Sequence, residues 1–143
     1  MAAKDGLTMK MVVIAGSAKL QEEIKEWMRY WEKKNYVVLN YPRSIPQKVF
    51  KKTYPSVHKK FFIDLLKADV LFVANERKNN RAGYIGPETF AEIGFAVIQK
   101  ILYKKKIEII LSNMPSAKVP CHDEITRWSG LKWIKIKHSD ENL

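Results

Sequence analysis

The sequence predicts a doubly wound α/β fold, in which five parallel strands form one sheet and helices cover both of its faces. Strand-length apolar runs alternate with helix-length segments along the whole chain, and the connections between them are short. The run 70–74 (VLFVA) shows no alternation of polar and apolar residues, which is typical of a parallel strand buried on both faces. Because crossovers between parallel strands are right-handed, we expect helices on the two sides of the sheet, with the first strand in its interior.

Periodicity defines each element in turn. The predicted strands are 11–15, 36–40, 70–74, 107–111 and 132–136. The predicted helices are 18–34, 56–68, 87–103 and a short one near 122–128. Segment 41–55 contains three prolines and is predicted to be a loop, with Ser56 capping the helix that follows it.

Length and composition indicate one globular domain. A chain of 143 residues can bury a real core, and we expect the domain at 11–138, between tails at 1–10 and 139–143. The formal net charge of +11 favours an anionic substrate or partner, although the scattered lysine pairs fit solvated helix ends and loops better than a basic groove. The single cysteine, Cys121, excludes an internal disulfide and favours a reducing, cytoplasmic location. The apolar runs are too short to span a membrane, and no signal peptide is predicted.

Polar and glycine-containing loops follow the first three predicted strands, whose carboxyl ends lie at one edge of the sheet. Backbone N–H groups at Gly16 and Ser17, which lead into a helix, could receive a phosphate or a sugar hydroxyl, although a single glycine after a strand more often marks only a tight turn. Pro87 is a favoured first residue for the helix after the third strand. The candidate binding residues of these loops are Gly16, Ser17, Tyr41, Arg43, Ser44, Asn75, Tyr84 and Gly86.

The helix at 87–103 carries a narrow stripe of polar side chains. Its wheel places Phe90, Ile93, Gly94, Val97 and Ile101 on one face, with Glu88, Glu92 and Gln99 opposite. A polar face in water is the simpler interpretation. Since apolar residues flank the stripe on both sides, a carboxylate that faces a pocket or a subunit contact is the alternative.

Four motifs occur in a specific order: VVIAGS at 12–17, KADVLFVAN at 67–75, GYIGPETFAEIGFA at 83–96 and LSNMPS at 111–116. Together they resemble the nucleoside 2-deoxyribosyltransferase family, including relatives that hydrolyse the N-glycosidic bond of nucleoside monophosphates. The likeness covers most of the chain. It implies a Rossmann-like or flavodoxin-like domain of nucleotide metabolism that forms a homodimer or larger homo-oligomer and needs no cofactor.

The resemblance implies that Glu92, in its Glu-Ile-Gly segment, is the catalytic nucleophile. A carboxylate suits this role because the sugar gains oxocarbenium character as the base leaves, and the anion can then form a covalent glycosyl-enzyme. Water as acceptor would make the protein a hydrolase, and a second nucleobase would make it a transferase. The residues leave this choice open.

Two positions depart from the family pattern. Phe61 stands where many members have an aspartate that assists the sugar and the leaving base, and Glu88 stands where glycine is usual, although the following Thr89 matches. Repulsion between Glu88 and Glu92 could raise the pKa of one of them and supply a proton donor. Equally, Glu88 could be a carboxylate favoured at a helix start by the helix dipole.

The resemblance also places His58 near substrate, where an imidazole could assist a phosphate or the departing base; a surface histidine is the alternative. Arg43 and Ser44 could contact base or phosphate, and Tyr41 and Tyr84 are placed to stack on a nucleobase. We predict structural roles for Asp64 and Asp69, as helix cap and strand start. No zinc-type spacing of cysteine and histidine occurs, so no metal site is predicted.

The sequence therefore predicts cleavage or transfer of an N-glycosidic bond in a (deoxy)nucleoside or nucleoside 5'-monophosphate. The main alternative is a catalytically silent nucleotide- or nucleic-acid-binding module of the same fold, which the position of Phe61 and the net charge support. Cleavage of a nicotinamide dinucleotide is a third possibility. The expected partner is a small nucleoside or nucleotide, with nucleic acid as the weaker alternative and no membrane.

Overall fold

The computed structural model describes residues 9–137 and confirms the predicted α/β architecture. The predicted C-terminal tail, residue 138 and all but residues 9 and 10 of the predicted N-terminal tail lie outside the described residues. Among residues 9–137, no helix combines the length and the apolar character that crossing a bilayer requires.

The sheet is five-stranded and entirely parallel. Its strands are β1 (Met11–Gly16), β2 (Val37–Asn40), β3 (Val70–Ala74), β4 (Glu108–Leu111) and β5 (Lys135–Ile136), in the order β2-β1-β3-β4-β5. As predicted, β1 is an interior strand. The chain reverses its direction of progress across the sheet between β1 and β3, where Gly16 pairs with Ala74. Ligands bind open α/β sheets at the carboxyl edge of such a switch point.

Helices cover both faces of the sheet. They are α1 (Gln21–Lys33), α2 (Phe50–Lys67), α3 (Pro87–Leu102) and α4 (His122–Gly130), with a 3₁₀ turn at Gln47–Val49 before α2. On one face, Trp31 of α1 packs against Val12, Ile14 and Phe72. On the other, Leu65 of α2, Ile93 and Val97 of α3 and Ile125 of α4 share a larger core with alternate residues of the same strands.

The prediction for segment 41–55 is wrong in its second half, because α2 begins at Phe50 and continues through Pro55. Proline lacks only one helical N–H, and Pro55 lies on the exposed side of a helix whose inner side is anchored by Phe61 and Leu65. Ser56 is therefore inside the helix. Its hydroxyl donates to the Thr53 carbonyl at 3.0 Å instead of capping a helix start.

The last strand is also shorter than predicted. Lys132 has a φ of 62°, a left-handed conformation that strands do not contain, and the Trp133 N–H bonds back to the Trp128 carbonyl. The chain is thus still turning after α4 at 132–133, and only Lys135–Ile136 pairs with β4.

Candidate functional site

Glu92 lies between α2 and α3, with only 6% of its surface exposed. The interpretation of the α3 stripe as a polar face in water is therefore wrong for Glu92, although it holds for the exposed Glu88. The buried residues of α3 are Thr89, Glu92, Ile93, Ala96 and Val97. The buried side of α3 therefore includes Glu92, which the helical wheel had placed opposite the apolar face. This is because α2, as well as the sheet, packs against that side of α3.

Three ionisable side chains form what we call the carboxylate cluster: His58, Glu88 and Glu92. One ligand atom from each lies within 4.8 Å of the others. His58 Nδ1 is 3.4 Å from Glu88 Oε2, and 56% of the Glu88 side chain is exposed. Burial, and secondarily the negative charge of Glu88, raise the pKa of Glu92 to about 8. Glu92 is thus mainly protonated at neutral pH.

A ladder of rings along α2 holds His58 in place. Phe50, Tyr54, His58 and Phe62 follow one another at four-residue spacing, with centroid distances of 5.1, 4.9 and 4.6 Å. Phe62 in turn contacts Phe95 of α3 at 4.9 Å. Tyr54 stacks on one side of the imidazole and Phe62 meets it edge-on, so its rotation is restricted and Nδ1 stays beside Glu88.

Tyr54 belongs to this site, and sequence reasoning missed it. Its ring stacks on that of His58 at 4.9 Å. Burial, and after it the negative charges of Glu88 and Glu92, raise the pKa of the Tyr54 hydroxyl. Assigning 41–55 to a loop removed Tyr54 from the helix face it shares with His58. The four-residue spacing of aromatic rings across Pro55 was the signal that could have identified it.

The carboxylate cluster could hold a divalent cation, since two carboxylates and an imidazole are suitable ligand types. Sequence spacing predicted no metal site because these residues come from two helices that meet only in the fold. Cys121 and His122, whose spacing does not fit a zinc site, lie elsewhere in the fold. Burial raises the pKa of the Cys121 thiol, and His122 Nδ1 lies 2.9 Å from the Pro115 carbonyl oxygen.

The turn after β1 is shaped by the approach of a neighbouring strand. Gly16 has a φ of 151°, and a Cβ on it would lie 2.9 Å from the Ala74 carbonyl oxygen. The Ser17 hydroxyl accepts a 3.3 Å bond from the Lys19 N–H. The tight-turn interpretation therefore accounts for Gly16, and its binding role stays a prediction.

The loop after β2 lies towards the other face of the sheet. Tyr41 packs against the α1-side core, and the Arg43 guanidinium lies 4.4 Å above its ring, while Ser44 is exposed. Within residues 9–137, no hydrogen bond, ion pair or ring contact links these three residues to the carboxylate cluster. They share its edge of the sheet without touching it.

Asn75 has a structural role at the end of β3. Its side-chain amide donates to the carbonyls of Gly83 and Asn113, and its oxygen accepts bonds from Ser112 Oγ and the Asn113 N–H. These bonds tie the loops after β3 and β4 together. Since every hydrogen-bonding position of the amide is used, a substrate contact by Asn75 would require one of them to break.

The start of α3 holds the other predicted binding residues. The hydroxyl end of Tyr84 lies over Gly86, where an added Cβ would be 3.3 Å from it, and Lys78 Nζ is 5.2 Å from the Tyr84 ring. Thr89 is buried on the inner side of the helix. Tyr84 is therefore placed beside the first turn of the helix that carries Glu88 and Glu92.

Comparison with known proteins gives no family assignment. No protein-family model matches the chain, and no curated protein matches it in sequence.

Three other residues singled out in the sequence have structural positions. Phe61 is buried in the main core and offers no acid or hydrogen bond to the cluster. Asp64 is not a cap: it is buried inside α2 and bound by Asn40 and Lys60. Asp69 acts at the start of β3 as predicted, since its Oδ2 accepts the Met11 N–H at 2.8 Å.

A depression of about 440 Å³ opens at the opposite, amino-terminal edge of the sheet. Lys10, Lys100 and Lys106 line it together with Asp69 and Glu108. Several of these groups are already engaged, because Lys100 Nζ donates to the Ile107 carbonyl and Glu108 pairs with Lys135. The two edges of the sheet therefore differ, because the buried acid near the carboxyl edge, Glu92, has no such hydrogen bond or ion pair among the described residues.

Proposed function

We propose that the protein cleaves or transfers the N-glycosidic bond of a (deoxy)nucleoside or nucleoside 5'-monophosphate, with Glu92 as nucleophile. The observation that carries the proposal is the position of Glu92: a carboxyl group withdrawn from water, at the start of the helix after β3, beside an imidazole and a second carboxylate. Buried acids with raised pKa values near a sheet switch point are frequent at catalytic sites.

The neutral resting form of Glu92 is compatible with this role. A sugar that gains positive charge beside a desolvated carboxyl group favours the ionised form, because opposite charges attract strongly where water is scarce. The interaction is stronger in the transition state than in the ground state, which is the requirement for catalysis. Attack of the carboxylate on C1' breaks the C1'–N bond, and the base leaves with the electron pair and takes up the proton that Glu92 has released. The covalent intermediate is then resolved by water or a second base.

Loops at the same edge supply candidate contacts for the rest of the substrate. We place the sugar or phosphate near the Gly16–Ser17 turn and the base near Tyr84, whose ring lies beside the first turn of α3. Arg43 is exposed on the Tyr41 ring and adds positive charge at this edge. No cofactor is needed for this chemistry, and we propose a cytoplasmic location.

Release of free base tests the proposal directly. The protein is incubated with ribo- and deoxyribonucleosides, their 5'-monophosphates and a nicotinamide dinucleotide, and free base is measured by chromatography. Glu92→Gln keeps the shape of the protonated side chain but cannot ionise, so it should lower turnover at least about 1,000-fold while circular dichroism stays unchanged.

The matched control is Glu22→Gln, the same change at an exposed position of α1, which should leave turnover unchanged. Unchanged turnover in Glu92→Gln would remove this residue from the mechanism. Release of nicotinamide alone would move the substrate class to dinucleotides.

A nucleotide- or nucleic-acid-binding module without catalysis is the second candidate. The core position of Phe61 favours it, since the acid expected there is absent, and exposed lysines at 48, 51, 52 and 59 lie just before α2 and along its first half. A binder would gain thermal stability from nucleotides without releasing base. Affinity for oligonucleotides that falls steeply with salt would indicate the nucleic-acid form.

We also propose that the chain forms a homodimer or larger homo-oligomer through the outer side of α2 and α3. Large apolar side chains are exposed there at Ile63, Leu66, Ile98 and Leu102. Exposed apolar clusters of this kind are typical of protein contacts. Light scattering should give a mass above 16.7 kDa, and Leu102→Glu should reduce it; a monomer at all concentrations would contradict this part.

A further inference from the structure

We propose that the carboxylate cluster of His58, Glu88 and Glu92 binds one Zn²⁺ or similar transition-metal ion, and that this ion blocks Glu92 as a nucleophile. The binding site stands on the geometry of the cluster alone. Its effect on turnover rests on the proposed function and adds a form of regulation to it.

The cluster has the ligand types and the spacing of a zinc site. One ligand atom from each of the three side chains lies within 4.8 Å of the others, and His58 Nδ1 is 3.4 Å from Glu88 Oε2. In a tetrahedral zinc site, bonds of about 2.0–2.2 Å place neighbouring ligand atoms roughly 3.3–3.6 Å apart. One pair of atoms already has this separation, and small side-chain rotations bring the third atom to it.

Glu92 supplies an independent sign of a missing ligand. Only 6% of its surface is exposed, and its carboxyl group points at His58 and Glu88. From residues 9–137, no hydrogen bond or ion pair reaches this group. Buried carboxyl groups normally have such partners, and a coordinated cation would be one, because it compensates a charge that is withdrawn from water.

No lysine or arginine takes the place of this cation in the described part of the chain. Lys60 of α2, two residues after His58, is held 2.9 Å from both oxygens of Asp64 instead. The N-terminus of α3 by itself disfavours a cation. Two carboxylates within the first two turns of that helix outweigh its half unit of positive charge.

The two helices hold the ligands in place before an ion arrives. Glu88 and Glu92 are four residues apart on α3 and therefore lie on one side of it. Tyr54 stacks on the His58 ring at 4.9 Å, and Phe62 meets that ring edge-on at 4.6 Å. The side chains of Glu88 and His58 are 56% and 26% exposed, so an ion can enter from solvent on their side.

The ligand set favours Zn²⁺ over Mg²⁺ and Ca²⁺. An imidazole suits zinc and the neighbouring transition metals, whereas Mg²⁺ and Ca²⁺ take six or more oxygen ligands. Three protein ligands leave one position of a tetrahedral ion open to water.

Bound zinc would prevent the reaction proposed for Glu92. A carboxylate that shares its electron pair with the ion cannot use it to attack C1', and the ion repels the positive charge that the sugar develops. Glu88, which stands where the family pattern has glycine, completes the ligand set. The inhibition is therefore a property of this chain and not of the pattern that it resembles.

Calorimetry on the untagged protein, freed of metal with EDTA, tests the site. Zn²⁺ should bind at one ion per chain, and Mg²⁺ should bind at least about 100-fold more weakly. His58→Gln and Glu92→Gln should each weaken zinc binding at least about 100-fold, and Glu88→Gln at least about 10-fold. Since Glu88 is exposed, its variant should fold normally by circular dichroism and keeps the test decisive if another variant does not.

The matched controls are Glu22→Gln, at an exposed position of α1, and His122→Gln, outside the cluster; both should bind zinc like the wild type. Loss of binding in His122→Gln and not in His58→Gln would place the ion beside Cys121 and overturn the site. An absence of zinc binding up to millimolar concentration, or equal binding of Mg²⁺, would also overturn it.

Base release separates the inhibition from the function. Saturating Zn²⁺ should lower the turnover of the wild type at least about 10-fold, EDTA should restore it, and half-inhibition of Glu88→Gln should need at least about 10-fold more zinc. Turnover that bound zinc leaves unchanged or raises would overturn the blocking role. If no base is released under any condition while calorimetry finds the cluster occupied, the proposed function fails and the metal site stands.

Discussion

Two buried carboxyl groups on neighbouring helices have opposite surroundings. Asp64 of α2 is 2% exposed, and its oxygens accept bonds of 2.9 Å from Asn40 Nδ2 and Lys60 Nζ. Glu92 of α3 is nearly as buried, but within residues 9–137 no hydrogen bond reaches it, and its nearest ionisable neighbour on the same helix carries a like charge.

The difference shows which of the two groups stabilises the fold. A buried carboxylate with a cation and an amide donor contributes to structure, because its charge is compensated. A buried acid with a like charge beside it opposes folding whenever it ionises, and such strain is retained at functional sites. Substitutions that remove either acid, or a group that surrounds it, test this difference between Asp64 and Glu92.

The largest effect is expected for Glu92→Gln on the pH dependence of stability. The folded-state pKa of Glu92 is about 8 and the reference value is 4.5, so between these values the unfolded chain releases a proton that the folded protein retains. Stability therefore falls as pH rises through this window, by roughly 1.4 kcal/mol per pH unit from this group, on the order of 5 kcal/mol in total. Measured by urea denaturation, the free energy of unfolding of the variant relative to that of the wild type should rise by about 4 kcal/mol between pH 5 and 8.5.

Well below pH 4.5 the side chain is protonated in both states, so the difference in stability between the two proteins should stop changing with pH there. A constant difference across the whole range would mean that Glu92 is ionised in the folded protein, and the contrast with Asp64 would disappear.

Asp64→Asn should have the next largest effect, in the opposite direction. Asparagine can still accept the Asn40 bond, but Lys60 loses its charge partner, and we expect a loss of about 1–3 kcal/mol at pH 7. Urea denaturation measures it. Base release per folded molecule should be unchanged, and a loss of turnover would place Asp64 in the catalytic machinery.

The contrast between these two acids shows how far the sequence could predict this protein. The parallel sheet was predictable, since an unbroken apolar run such as 70–74 has few other solutions, and so was a carboxylate at position 92 near its edge. The burial of Glu92 was not. A helical wheel records which residues share a face, whereas the packing of α2 over that face depends on contacts distant in sequence.

Tyr54 was hidden for a related reason. Proline disfavours the interior of a helix, so the sequence predicted a loop that continues as far as Pro55. In the structure, burial of Phe61 and Leu65 together with the stacking of Phe50, Tyr54 and His58 outweighs one missing hydrogen bond. Local rules fail here where tertiary packing of an apolar face decides the helix start.

Lys60→Met should cost about 1 kcal/mol. The ammonium group lies 2.9 Å from both Asp64 oxygens, but 65% of the Lys60 side chain is exposed, so water and salt screen the pair. The difference from the wild type, measured by urea denaturation, should shrink as salt rises from 0.05 to about 1 M. A salt-independent loss of several kcal/mol would show that Asp64 depends on Lys60 in the way a fully buried pair does.

The smallest effect is expected for Glu88→Gln on the ionisation of Glu92. Burial is the main cause of the raised Glu92 pKa and Glu88 the lesser one, so removing the charge should lower that pKa by under about one unit. Stability above pH 8 should rise by less than about 1.4 kcal/mol. Carbon-13 detected titration of the Glu92 carboxyl measures the shift. A return to the ordinary range would show that repulsion, and not burial, keeps Glu92 protonated, and any ligand that neutralises Glu88 would then ionise Glu92.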